Sequence, residues 1–140
     1  MKEMDKLFNW ISVIAGMLGG FLSYWLGGWD VLLKTIVFLA ITDYITGLIK
    51  GFYLKELSSE IGFRGLLKKI VIFIVIAVAF VIQKMLGDNI PLREVVITFY
   101  IANEGLSLLE NAAVFAPIPE KLKEVLLQLR DKNTDSIEGE

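Results

Sequence analysis

Four long apolar runs govern what this chain can fold into. The first, Leu7–Trp29, has 23 residues and no charge. The second, Val31–Ile49, contains Lys34 and Asp43. The third, Ile70–Leu86, is dense in Ile, Val and Phe. The fourth, Val95–Ala116, is 22 residues with Glu104 and Glu110 inside it. At ~1.5 Å per residue a helix of that length covers ~30 Å, about one hydrocarbon core. In lipid, backbone N–H and C=O groups find no water, so a run of this kind crosses as a helix. The β-branched content of the third run would suit a buried strand, but its unbroken length, entered from Lys68 and Lys69, favours a membrane helix.

Composition agrees. Hydrophobic residues make up 55% of the 140, and mean hydropathy is +0.62, above the usual soluble domain. At a net charge of −2 no basic field points to nucleic acid. The chain holds no His and no Cys. That removes the usual zinc ligands, a thiol nucleophile, any disulfide and Ser-His-Asp chemistry. No cofactor or metal is expected, and no enzymatic activity.

The expected fold is an all-α integral membrane protein of about four transmembrane helices, with spans near 7–29, 31–49, 70–86 and 95–116. A short amphipathic cytoplasmic helix follows over 117–130, then a polar tail at 131–140 expected to be disordered. The first run is read as a retained span and not a signal peptide, because Trp25-Leu26-Gly27-Gly28-Trp29 lacks a small-x-small cleavage pattern. In a four-span chain, Lys2, Lys6, Lys50, Lys55, Arg64, Lys68, Lys69, Lys121, Lys123, Arg130 and Lys132 share one side. Lys34, Lys84 and Arg93 take the other. The positive-inside rule then places both termini in the cytoplasm. A three-span chain, with the fourth run lying on the outer surface, avoids burying the glutamates but sends the basic tail outside.

Three sets of polar or small residues stand out. Ser12, Gly16, Gly20, Ser23 and Gly27 recur at helical spacing in the first span. Such a stripe lets helix backbones approach closely in lipid, between copies or within one chain. In the second span Asp43, Thr46, Gly47 and Lys50 share a face. Candidate partners for the Asp43 carboxylate are Lys50 and the cluster Arg64, Lys68 and Lys69, giving an orienting ion pair or a proton relay. In the fourth run Tyr100, Asn103, Glu104, Ser107, Glu110 and Asn111 form a polar stripe. It can line a water path through an oligomer, bond to helices of its own chain, or lie in the interface plane.

Pro117 and Pro119 end the fourth helix. Leu122, Val125, Leu126 and Leu129 then make an apolar stripe, with Glu120 in the first turn and Arg130 near the end. Ser59 is a candidate N-cap for the helix entering the third span.

The ordered series Asp43-Tyr44-Ile45-Thr46-Gly47, Leu57-Ser58-Ser59 with Gly62, Gly65 and Lys68-Lys69, then Phe99-Tyr100-Ile101-Ala102-Asn103-Glu104, Ser107, Leu109-Glu110-Asn111 and Pro117-Ile118-Pro119 with Leu122-Lys123 resembles the phage-lysis and toxin-secretion holin family of Gram-positive bacteria and their phages. The resemblance covers about residues 40–130. It implies a small protein that accumulates in the bacterial cytoplasmic membrane and homo-oligomerises at a set time. Lesions then let a murein hydrolase (endolysin) or a toxin cross, and the host cell lyses. Family members are often described with three spans, one fewer than are readable here. Some holins start at two nearby methionines, as Met1 and Met4 would allow, but Glu3 offsets Lys2 and weakens the parallel. The rival readings are a small ion- or proton-coupled transporter using Asp43, Glu104 and Glu110, and a regulatory antiholin that co-assembles without making a hole.

Overall fold

The computed structural model describes residues 1–138, and all regular elements among them are helices: α1 Lys2–Leu26, α2 Val31–Tyr53, α3 Ser59–Met85, α4 Leu92–Ala112 and α5 Glu120–Glu138. Three of them, α1, α2 and α3, are long and apolar enough to cross a membrane. Residues 139–140, the last two of the expected tail, lie outside the described residues.

The ends of the helices follow local chemistry. Helix α1 stops at Leu26, short of the Trp29 expected from hydropathy. Gly27 adopts φ +84°, and the Gly28 N–H bonds back to the Ser23 carbonyl at 2.8 Å. Glycine enters this left-handed conformation without the Cβ penalty, and the backward bond satisfies an orphan carbonyl. Asp30 then caps α2, its carboxylate accepting from the Leu33 N–H at 2.9 Å. At the start of α3 the cap is Ser58, not Ser59. Ser58 is extended (φ −134°, ψ 159°) and accepts from the Ile61 N–H, while Ser59 is already helical. The helical run of α5 continues to Glu138, past the Arg130 expected as its end and into the tail expected to be disordered.

Helix α4 lies along α2 and also packs on α3. Leu33 and Ile36 of α2, Ile72 and Ile76 of α3, and Ile97 and Ile101 of α4 close a core that Leu26 joins from the end of α1. Ala102 is fully buried there. These contacts draw on dispersion and close fit, because lipid tails are as apolar as leucine and give no hydrophobic drive between helices. Helix α5 turns back after Pro117 and Pro119 and packs on α4, with Leu126 seated against Gly105. Helix α1 contacts mainly α3, Leu26 is its one buried residue, and residues 1–18 are all exposed.

Candidate functional site

Where α2, α3 and α4 meet, each helix contributes one charge to a buried cluster. The Lys69 ammonium of α3 donates to Asp43 Oδ2 of α2 and to Glu104 Oε2 of α4. The three side chains are 10%, 7% and 1% exposed. Asn111, about two turns further along α4, donates to Asp43 Oδ1 at 3.0 Å and lies 3.5 Å from where a Cβ on Gly47 would stand. Thr46 turns its hydroxyl back onto the Thr42 carbonyl at 2.8 Å.

Such a cluster is costly to build and costlier to break. Three charges leave water, and attraction offsets that only with good geometry and saturated hydrogen bonding. Removing one member strands the others. What it supplies is register. Sliding α4 by a residue along α2 would part Glu104 from Lys69 and Asn111 from Asp43. Among the described residues no group of His, Cys, Asp and Glu side chains is arranged to hold a metal ion.

The stripe on α4 is divided by this packing. Glu104 and Asn111 turn into their own chain. Tyr100, Asn103, Ser107 and Glu110 border a groove of about 410 Å³ whose other walls include Lys68 of α3 and Lys123, Leu127 and Arg130 of α5. Glu110 and Lys68 are exposed, and Lys50 is half-buried. Of the candidate partners for Asp43, Lys69 is the one within reach. In α1, a Cβ on Gly16 or Gly20 would meet nothing within 4 Å, and Ser12 bonds only to the Phe8 carbonyl of its own helix. Ser23 and Gly27, further along the stripe, do face the rest of the chain: they border a hollow with Phe80, Val81 and Lys84 of α3.

A second polar centre, at the opposite end of the bundle, was not foreseen from the sequence. Arg93 is 2% exposed. Its guanidinium donates to Asp30 Oδ2 at 2.7 Å, to the Gly28 carbonyl at 3.2 Å and to the Leu26 carbonyl. Its backbone N–H bonds to Gln83 Oε1 at 2.7 Å. The hydrogen bond from Arg93 holds the Asp30 carboxyl below the ordinary carboxylate value, opposed by partial burial and helped by the Leu33 N–H. Gly27 is needed for this fit, since a Cβ there would stand 2.5 Å from Arg93 Nε. Nothing in the sequence paired residues 30 and 93, which are 63 apart.

A bundle of apolar helices with buried charge clusters, and with one long helix left uncovered, is the build of a small membrane protein. The comparisons define which. The family model of the bacteriophage holins matches residues 20–131, and the chain belongs to that family. It is 36% identical over 107 residues to a probable holin of Bacillus phage phi105, covering 76% of this chain and 79% of that one. It is also 43% identical over 131 residues to an uncharacterised 14.9 kDa protein of Clostridium perfringens, covering 92% and 99%. An uncharacterised Listeria innocua protein is 42% identical over 121 residues, 86% of each chain. No solved structure matches the chain. Its function is that of a holin, permeabilisation of the bacterial membrane in host-cell lysis.

Proposed function

We propose that this holin crosses the cytoplasmic membrane four times, with α1 to α4, and keeps both termini in the cytoplasm. Copies associate through α1, and the resulting lesion passes a murein hydrolase made in the same cell. The observation that carries the reading is the burial of α4. Ile97, Ile101, Ala102 and Glu104 are all packed inside the bundle against α2 and α3. A helix laid flat on the outer surface would have to leave that core and abandon the Lys69 pair. Glu104 therefore needs no water in the dispersed protein, because Lys69 serves it. The basic residues of the N-terminus, the α2–α3 region and the tail favour the stated orientation.

Association through α1 is supported by its exposure. Leu7, Phe8, Ile11, Ile14 and Leu18 cover nothing in their own chain, and the backbone is bare at Gly16 and Gly20. In lipid a bare backbone strip is the surface on which a second helix packs closest. No catalytic step is involved.

Induced expression is expected to collapse the membrane potential abruptly and to release a co-expressed cytoplasmic murein hydrolase onto its wall. Continued growth with the potential intact, at high abundance in the membrane, would contradict the proposal. Gly16→Leu with Gly20→Leu is expected to delay lysis while the monomer fold is retained. Unchanged timing together with unchanged crosslinking between copies would remove α1 from the role.

A further inference from the structure

Helix α5 poses a problem that the four-span reading must solve. Leu126 sits on Gly105, in the second half of α4, one residue from Glu104 of the buried cluster. Four residues on, Arg130 shares a groove with Tyr100 and with Ile72, a member of the buried core. If α4 crosses the bilayer, α5 runs back beside it at hydrocarbon depth. Its exposed surface, which also holds Leu122 and Val125, carries a continuous polar stripe. Lys121, Glu124, Gln128, Asp131 and Asp135 recur at spacings of three and four, and all are exposed. The Lys121, Glu124 and Asp131 side chains are 84%, 51% and 67% exposed. Charges at that depth are not tolerated against acyl chains and occur facing protein or water.

We infer that the outward face of α5, carried into the membrane on α4, lines the aqueous passage of the assembled holin. This rests on the four-span reading. Lipid then meets the outer faces of α2 and α3, where Phe38, Ile41, Val71, Ile74 and Val78 are exposed. Water meets α5. The polar residues of α4 are not the wall of the hole: they form the seat on which the wall is mounted.

The alternative is that α5 is a cover that must leave α4 before a hole can form. The two make opposite predictions for a chain whose α5 is fastened down. The native sequence has no cysteine, so Gly105→Cys with Leu126→Cys gives a single possible disulfide within each chain. A Cβ on Gly105 would lie 3.6 Å from Leu126 Cγ, close to the separation a disulfide needs. Oxidised and reduced forms would be reconstituted into liposomes loaded with a dye-labelled dextran. Lumen lining predicts release from the oxidised form within about twofold of the reduced form. An oxidised form that stays sealed until reductant is added overturns the inference. As a second arm that does not depend on the disulfide, Leu126→Ala loosens the seat from a half-buried position and is expected to lower release severalfold. Release that is unchanged or faster overturns it. Absence of release from the native chain would instead sink the holin mechanism itself, so the two failures are distinguishable.

Discussion

Replacing Lys69 with methionine tests the buried cluster most severely. The substitution keeps the length of the side chain and removes its charge. Asp43 and Glu104 would then be two carboxylates, 7% and 1% exposed, sharing one pocket without a counter-ion. Removing one partner of a buried pair costs about 3–5 kcal/mol. That lowers the folded-to-unfolded ratio on the order of a hundred- to several-thousand-fold. Repulsion between the stranded acids adds to it. Combining Lys69→Met with Asp43→Asn and Glu104→Gln removes every charge and keeps hydrogen-bonding groups facing one another. The cost then falls to about 1 kcal/mol or less, since a buried ion pair exchanged for neutral groups is often near neutral. Reversible unfolding of the purified protein in mixed micelles, titrated with sodium dodecyl sulfate, would report the ordering. Native and triple variant should unfold close together, with the single variant far below both. A single variant as stable as the native chain, or a triple variant no better than the single, would refute the view that Lys69 acts by neutralising those two acids.

The other centre offers three checks. Arg93→Ala strips charge-assisted hydrogen bonds of a kind worth about 1.5–3 kcal/mol each and is expected to loosen the α1–α2 turn, read as faster amide exchange at residues 26–33. Gly27→Ala introduces a Cβ that would stand 2.5 Å from Arg93 Nε, at φ +84°, and should destabilise by roughly 1–2 kcal/mol from the backbone alone and more from the clash. Because the Asp30 carboxyl is held below its ordinary value of 3.8, its contribution is present above that pH and lost as pH falls through the lowered value. Melting of native protein should therefore approach that of Asp30→Asn only below about pH 4, and a gap that closes between pH 7 and 5 would contradict the assignment.

Much of this architecture could be read from the residues because the controlling signals are local. Apolar length located α1, α2 and α3, and the Pro117-Ile118-Pro119 break separated α4 from α5. Asp43 and Lys69 were both marked as intramembrane or interfacial charges. What stayed hidden depends on how helices sit against one another. The α4 stripe has one period whether it faces water or protein, so spacing did not reveal that Glu104 turns inward to Lys69 while Glu110 stays exposed. Arg93 resembled an ordinary outer-side charge, because its partners are the distant Asp30 and backbone carbonyls freed where α1 ends, and a helix end can slide by a few residues without changing the hydropathy profile. The return of α5 onto α4 hangs on the absence of a side chain at Gly105, which reads in the sequence as an unremarkable glycine of a membrane helix.

The central claim is that α4 traverses the bilayer with Glu104 satisfied inside its own chain. Single cysteines placed in the native cysteine-free sequence at Asn89, before α4, and at Pro117, after it, test this directly with a membrane-impermeant thiol reagent in intact cells before lysis. The account predicts that residue 89 is labelled from outside and residue 117 only after the cytoplasm is opened. Labelling of both from the same side would contradict it.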